Sequence, residues 1–154
     1  MAHWRPPAEI KVKALALAVH DGRFLAEDVT DDAGRLVGLR PPGGTMEFGE
    51  TREATLVREM AEEIGAEIEI AGPWQVFEAI YCHEGAPGHE IVFAAPVRFT
   101  DARFCAGPPL PFREDDGTLC HARWWRPEEA VAAGLALYPD GIAGALAALL
   151  ATDD

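Results

Sequence analysis

Three glutamates at helical spacing are the residues of this sequence whose types and positions best predict chemistry. Glu59, Glu62 and Glu63 lie in a segment, residues 52–64, whose apolar residues mostly recur on one side of a helical wheel. At about 100° per residue, the three carboxylates occupy a contiguous arc on the other side. Clustered carboxylate oxygens are the ligands that a hard divalent cation such as Mg²⁺ prefers. The spacing therefore predicts a metal-binding face.

The competing interpretation of these glutamates is a solvated acidic face on an ordinary amphipathic helix. Like charges three or four residues apart destabilise a helix by roughly 0.2–0.5 kcal/mol per pair, and an interspersed lysine is the usual remedy. The segment contains no lysine, and its only cations are Arg52 and Arg58. The repulsion between the glutamates is therefore not offset by lysine, which favours a binding site for a metal cation.

Local signals define the helix that must position these side chains. Thr51 is a plausible N-cap and Gly65 a plausible C-terminal stop, so the sequence predicts a helix from about Arg52 to Ile64. Directly upstream, Pro41-Pro42-Gly43-Gly44 predicts a rigid bend.

The whole segment resembles the Nudix box, the signature Gly-x5-Glu-x7-Arg-Glu-U-x-Glu-Glu-x-Gly-U in which U is a bulky apolar residue. Gly44, five residues, Glu50, seven residues and then the run from Arg58 to Ala66 match every fixed position, and only the last apolar position is weak, being alanine. The resemblance implies a Nudix-type α/β/α sandwich around a mixed β-sheet. It also implies Mg²⁺-dependent hydrolysis of a diphosphate bond in a nucleoside diphosphate linked to another moiety, with Mn²⁺ as a possible substitute.

The resemblance also implies roles for individual residues. Glu59, Glu62 and Glu63 would bind the metal together with the backbone carbonyl of Gly43, and Glu62 and Glu63 would count among the catalytic residues. The positions expected to support the box structurally, with Glu50 and Arg58 as an ion pair, are Gly44, Glu50, Arg58 and Gly65.

A further catalytic acid or base is expected outside the box, and Glu90 is the best candidate. It lies in His89-Glu90-Ile91, which, with Arg40–Gly44 and Glu47–Glu50, resembles the Arg-Pro-x-Gly-Gly, Glu-Phe-Gly-Glu and His-Glu-Ile elements of one Nudix subgroup. A surface acid at a strand end is the alternative interpretation of Glu90. Its competitors for the catalytic role are Glu114, Asp115 and Asp116.

Arg40 and Lys13 are scarce positive charges beside the predicted cleft. Each could bind a substrate phosphate or pair with one of the many carboxylates. Stacking on a base would need an aromatic ring, although aromatic residues on strands more often belong to the core. The aromatic candidates are Phe77, Tyr81, Phe93 and Trp124.

Composition limits the classes of partner. The formal net charge of −13 over 154 residues argues against nucleic-acid and anionic membrane surfaces, while bound cations would still allow an anionic small-molecule substrate. The three cysteines are too scattered for a disulfide framework or a zinc site. With no visible signal peptide, a cytoplasmic location is expected. A homodimer is one expected assembly, because symmetric dimers are the commonest soluble oligomers.

The chain reads as one domain, residues 1–154, with strands in hairpin and crossover contexts and helices both early and late. Loops are expected at Cys82–His89 and Gly107–Gly117. A helix should begin at Pro127, and a last helix should run from about Asp140 to Ala151. The expected strands are Val12–His20, Arg23–Glu27, Arg35–Arg40, Ala66–Ile70, Trp74–Tyr81, Glu90–Thr100 and Thr118–Arg126.

Two other functions stay open at this level. A Nudix-fold domain could sense a nucleotide without hydrolysing it, and an isomerase on the same fold would need a cysteine, such as Cys82 or Cys105, facing a glutamate. The substrate is equally open among ADP-ribose, nucleotide sugars, dinucleoside polyphosphates and nucleoside triphosphates, because recognition loops cannot be derived from the sequence.

Overall fold

Two mixed β-sheets and three α-helices are seen in the computed structural model, which describes residues 3–114 and 117–153. The helices are α1 (Arg52–Ile64), α2 (Pro127–Ala132) and α3 (Ile142–Thr152). The strands are β1 (Ile10–Leu17), β2 (Val19–His20), β3 (Arg23–Thr30), β4 (Leu36–Arg40), β5 (Gly43–Thr45), β6 (Ile68–Ile70), β7 (Gln75–His83), β8 (Ala86–Phe99), β9 (Leu110–Arg113), β10 (Leu119–Trp125) and β11 (Ala136–Leu137).

The first sheet has the order β5-β1-β8-β6, with β7 also paired to β8, and its β1–β8 contact is parallel. The second has the order β11-β4-β3-β10-β9, with β2 beside β3 and a parallel β11–β4 contact. This arrangement confirms the predicted α/β sandwich, although strand pairing is divided between two mixed sheets where one was expected.

The division between the sheets occurs at Ala18. A single strand was predicted over Val12–His20, but β1 ends at Leu17 and β2 begins at Val19 in the other sheet. The Ala18 carbonyl accepts a hydrogen bond from the Leu25 amide at 3.0 Å, which ties this point to β3. The chain therefore changes sheets where the sequence shows only a continuous apolar run.

Helix α1 has the predicted bounds. The Thr51 side chain accepts a hydrogen bond from the Ala54 amide, and Gly65 ends the helix in the left-handed conformation at φ 73°. Leu56 and Met60 are fully buried and belong to the same core cluster as three alanines of the β1 segment, Ala14, Ala16 and Ala18.

The face that α1 buries is narrower and more polar than the wheel predicts. Val57 is 43% exposed, and Ala61 is also exposed, whereas Glu59 is only 7% exposed. Glu59 therefore lies at the edge of the packed face and not on the solvent side with Glu62.

Several predicted loops and strand ends are wrong. Cys82–His89 is no loop but a tight hairpin turn at Glu84-Gly85, so β7 continues to His83 and β8 starts at Ala86. Position 88 of β8 requires glycine, because the Tyr81 ring occupies the space of a side chain there. An ideal Cβ on Gly88 would be 2.3 Å from the Tyr81 Cζ atom. Glu90 is consequently the fifth residue of β8, flanked by Lys11 of β1 and Ala79 of β7.

Two other segments form short strands where the sequence predicts irregular structure. The expected bend at Pro41–Gly44 continues into β5, and the expected loop Gly107–Gly117 contains β9, which pairs with β10. Strand β5 is formed by pairing with β1, which is distant in sequence, whereas β9 forms a hairpin with the next strand, β10. In the described part of the chain, no helix is long and apolar enough to cross a membrane.

The left-handed conformation of Gly65 generates a stability test. Gly65→Ala should cost about 1 kcal/mol of unfolding free energy, because a Cβ is unfavourable at φ 73° even though no neighbour would touch it. Gly144→Ala, inside α3 with open space around the new methyl group, is the matched control and should stabilise by roughly 0.5–1 kcal/mol. Urea unfolding measures both, and stabilisation by both substitutions would contradict the capping role.

Candidate active site

The Arg58 guanidinium lies at the centre of the box. Its Nε and Nη2 atoms donate to the two carboxylate oxygens of Glu50 at 2.6 and 2.9 Å, and Nη2 also donates to the Thr45 carbonyl at 3.2 Å. Its Nη1 atom donates to Glu59 at 2.8 Å and to Glu62 at 3.2 Å. One side chain thus connects β5, the loop before α1 and two of the three clustered glutamates.

Glu50 is held from both ends of the loop that carries it. Besides Arg58, its Oε1 atom accepts hydrogen bonds from the Glu47 amide at 3.0 Å and the Thr55 hydroxyl at 2.8 Å. The Arg58 hydrogen bonds, followed by the Glu47 amide, lower the pKa of Glu50 to about 2. Glu50 therefore stays ionised at neutral pH, and its hydrogen bonds to Glu47, Thr55 and Arg58 are directed at the scaffold of the site.

Glu59 lies directly against the backbone of β5. An ideal Cβ on Gly44 would be 2.2 Å from the Glu59 carboxyl carbon, so only glycine allows this approach. Gly43 is equally constrained, because a Cβ there would be 2.0 Å from the Ala14 carbonyl oxygen on β1. Gly44 therefore allows the nearly buried Glu59 carboxylate to contact β5, and Gly43 allows β5 to approach β1.

Glu62 and Glu63 differ in their surroundings. The Glu62 side chain is 59% exposed and reaches Arg58, whereas Glu63 is half-buried. Burial, followed by the charge of Glu27 and a hydrogen bond with Glu59, raises the pKa of Glu63 to about 10. Without a cation, the carboxyl group of Glu63 therefore keeps its proton at neutral pH, since neighbouring acids disfavour a further negative charge.

These acids fit a hard divalent cation by their chemistry, since they are oxygen donors whose mutual repulsion a cation would relieve. Their present positions are not those of a formed site. Among residues 3–114 and 117–153, no three acidic, histidine or cysteine side chains are placed to hold one metal ion. The Arg58 contacts to Glu59 and Glu62 account for part of this, because the guanidinium takes up oxygens that a metal would share.

Glu27 is an acid of this region that the sequence analysis passed over. It is 2% exposed on β3, directly opposite Arg40 on β4, and its Oε1 atom lies 3.5 Å from Arg40 Nη2. Burial raises the pKa of Glu27 to about 7, although Arg40 acts in the opposite direction. Within the described chain, neither Glu27 Oε1 nor Arg40 Nε has a hydrogen-bond partner. The available signal was the alternation of β3, which puts Glu27 on the same face as buried Leu25.

Glu90 and Lys13 form a second ion pair. The Lys13 ammonium lies 3.0 Å from Glu90 Oε2, and the Tyr81 hydroxyl donates to the same oxygen at 3.2 Å. Glu90 is 8% exposed, so it is an interior acid and no surface residue. Burial, followed by the charge of Arg40, lowers the pKa of Lys13.

Arg40 connects the two groups of acids. Although burial opposes it, the surrounding carboxylates raise the pKa of Arg40, and those that contribute are Glu27, Glu114, Glu90 and Glu63. The predicted catalytic acids inside and outside the box therefore share one cationic neighbour. Of the competitors of Glu90, Glu114 belongs to this cleft, while Asp115 and Asp116 lie outside the described residues.

Three of the four aromatic candidates for base stacking have other contacts. Phe77 packs on the core, Phe93 lies under the Arg52 guanidinium, and Trp124 donates its indole N–H to the Phe104 carbonyl. Only Tyr81 directly contacts an acid of the cleft.

Comparisons with known proteins agree with this geometry. A family model described as NUDIX domain matches residues 3–143, whereas no curated protein matches the chain. The Escherichia coli ORF135 protein is 25% identical, with 93% of this chain and 90% of that chain covered and a TM-score of 0.56. A NUDIX hydrolase from Nitrosomonas europaea (21% identity, coverage 80% and 77%, TM-score 0.53) has a similar fold. So does the mutator MutT protein from Bacillus halodurans (18% identity, coverage 93% and 84%, TM-score 0.53).

The Glu50–Arg58 pair generates a pH test. Because the folded-state pKa of Glu50 is lowered to about 2 from 4.5, the pair should stabilise the protein above about pH 4.5 and lose that effect as the pH falls toward 2. Urea unfolding of the native protein and Glu50→Gln between pH 2 and 7 should show a stability difference that is largest near neutrality and disappears in acid.

Glu53→Gln is the matched control. The Glu53 side chain is half exposed and lies 3.6 Å from Arg52, and an exposed ion pair of this kind contributes little to the free energy of unfolding. This variant should match the native protein throughout the pH range. A Glu50→Gln difference that did not change with pH would show that the carboxylate charge is irrelevant to the scaffold.

Proposed function

This chain belongs to the NUDIX domain family, as a Nudix hydrolase, and on that premise we propose that it hydrolyses a diphosphate bond in a nucleoside diphosphate linked to a second moiety. The cofactor in this proposal is Mg²⁺, with Mn²⁺ as a substitute. Candidate substrates are ADP-ribose, nucleotide sugars, dinucleoside polyphosphates and nucleoside triphosphates.

One observation carries the proposal: the acids of the α1 face are crowded together, and Arg58 offsets only part of their repulsion. Glu59 is nearly buried against Gly44, and the pKa of Glu63 is raised to about 10 by burial and by acids that include Glu27. Crowded and partly buried acids are costly to a fold that gains nothing from them. A divalent cation would offset their mutual repulsion and could bind a diphosphate at the same time.

Each residue of the site has a proposed task. Glu59, Glu62 and Glu63, with the Gly43 carbonyl, would hold a divalent cation, which when bound supplies positive charge to diphosphate oxygens and acidifies water. Arg40 is proposed to contact a phosphate, since its side chain is about a quarter exposed beside these acids. Lys13 can assist, because an ammonium group has three donors and the pair with Glu90 uses only one of them.

Glu90 is proposed as the base that takes a proton from the attacking water. The water oxygen would bond to phosphorus, the proton would pass to the carboxylate, and the bridging oxygen would leave with the electron pair of its bond to phosphorus. The products are two phosphate compounds, with no covalent enzyme intermediate. The contacts of Glu50 and Arg58 favour a scaffolding role for this pair, because they join β5, the loop and α1.

The isomerase alternative finds little support in the positions of its cysteines. Cys82 is exposed on β7. The cysteine that does contact a glutamate is Cys120, whose thiol lies 3.6 Å from Glu114 Oε1, and burial raises its pKa to about 12. Such a thiol is a poor nucleophile at neutral pH, because the thiolate is the reactive form.

We propose a cytoplasmic protein that acts on small nucleotide derivatives, does not bind nucleic acids or membranes, and can form a homodimer. The net charge of −13 supports the exclusion of nucleic acids and membranes, because nucleic-acid and anionic membrane surfaces would repel a protein of this charge.

The test of the reaction is a panel of the four substrate classes with Mg²⁺ and with Mn²⁺, assayed for phosphate-ester products. The expected result is turnover of at least one class that stops when the metal is chelated. Glu59→Gln and Glu63→Gln should each lower kcat at least a hundredfold on the best substrate and weaken Mn²⁺ binding in calorimetry, because each removes a charged oxygen ligand.

Glu53→Gln, on the same helix but exposed and away from the cleft, is the control and should keep native turnover. Near-native turnover of both Glu59→Gln and Glu63→Gln would show that the metal assignment is wrong. Tight binding of a nucleotide with no product release across the panel would instead favour the nucleotide-sensing alternative.

A further inference from the structure

The contacts of Glu90 are distributed unequally between its two oxygens. The Lys13 ammonium, at 3.0 Å, and the Tyr81 hydroxyl, at 3.2 Å, both approach Oε2. Among residues 3–114 and 117–153, no hydrogen bond or ion pair of Glu90 involves Oε1. A carboxylate that is held through one oxygen while the other can accept a proton has the geometry that a general base needs, because proton acceptance requires an oriented and available lone pair.

Tyr81 is held firmly enough to fix this geometry. Its ring lies over the backbone of its register partner Gly88, where any side chain would collide with it. Burial, followed by the charge of Glu90, raises the pKa of Tyr81 to about 12. The hydroxyl therefore keeps its proton at neutral pH and remains a hydrogen-bond donor.

We propose that Tyr81 is a positioning residue for Glu90: its hydroxyl, together with the Lys13 ammonium, holds Oε2 so that Oε1 is the atom that accepts the proton of the attacking water. The inference rests on the proposed function, in which Glu90 is the base. It assigns Tyr81 a role in orienting an acid, where the sequence suggested only a stacking surface or a core residue.

The surroundings of Glu90 favour this role over a purely structural one. Glu90 lies in the middle of the first sheet, between β1 and β7, where an apolar residue would pack without the cost of desolvating a charge. Its neighbours two positions along the strand, Gly88 and Val92, are uncharged and buried. The Lys13, Tyr81 and Glu90 side chains therefore meet at one largely buried point of the sheet, which indicates a specific use of Glu90.

Tyr81→Phe tests the proposal, because it removes one hydroxyl and keeps the ring against Gly88. On the best substrate, the variant should lower kcat about tenfold and change KM less than twofold, since the ring and the phosphate contacts are unaffected. Urea unfolding should show a folded protein of similar stability.

Tyr138→Phe is the matched control, because Tyr138 is the only other tyrosine of the chain and lies against Gly38 on β4. It should keep the native kcat and KM. In a Glu90→Gln background, Tyr81→Phe should cause no further loss of kcat, because a positioning residue has no effect once the group that it orients is gone.

The outcomes separate the inference from the function beneath it. An inactive Glu90→Gln with native kcat in Tyr81→Phe would overturn the positioning role alone. A further loss of kcat from Tyr81→Phe in the Glu90→Gln background would also overturn it, since Tyr81 would then act without Glu90. Native turnover of Glu90→Gln would overturn both the base assignment and the inference, while metal-dependent hydrolysis itself would stand.

Discussion

The Arg58 guanidinium is the interaction on which the rest of the site depends. Its two-point pairing with Glu50 fixes the loop before α1, and its contact with the Thr45 carbonyl fixes β5 against the helix. Bidentate arginine–carboxylate pairs are among the strongest and most directional contacts in proteins. The same side chain also offsets the repulsion between Glu59 and Glu62, so the acids tolerate their closeness before any cation binds.

This ionic arrangement works because small residues let the backbones approach one another. Gly44 leaves space for the Glu59 carboxylate, Gly43 lets β5 pair closely with β1, and fully buried Ala14 and Ala16 belong to the cluster that packs with α1. A carboxylate is thereby placed beside strand backbone and away from bulk water. Low exposure strengthens its electrostatic interactions, which explains why neighbouring acids affect one another so strongly.

The charge of the cleft connects the fold to the proposed reaction. Glu27 and Glu63 approach from a strand and a helix, and Arg40 is the cation that they share with Glu90. A site of this kind repels a bare diphosphate and attracts a divalent cation, so metal and substrate would bind best together. Arg40 is paired with Glu27, and Lys13 is paired with Glu90. To bind a phosphate, each of the two cations would have to contact it and its carboxylate partner together.

The sequence by itself determined α1, the glutamates on it and the family, because capping, helical period and motif spacing are encoded within a short segment. It could not place the division of the sheets at Ala18, the pairing of Glu27 with Arg40 or the position of Glu90 inside β8. Those features depend on which distant strands pair and in which register. Local composition does not report such contacts, since the same residues would suit a solvent-facing strand equally well, and only tertiary packing decided between the alternatives.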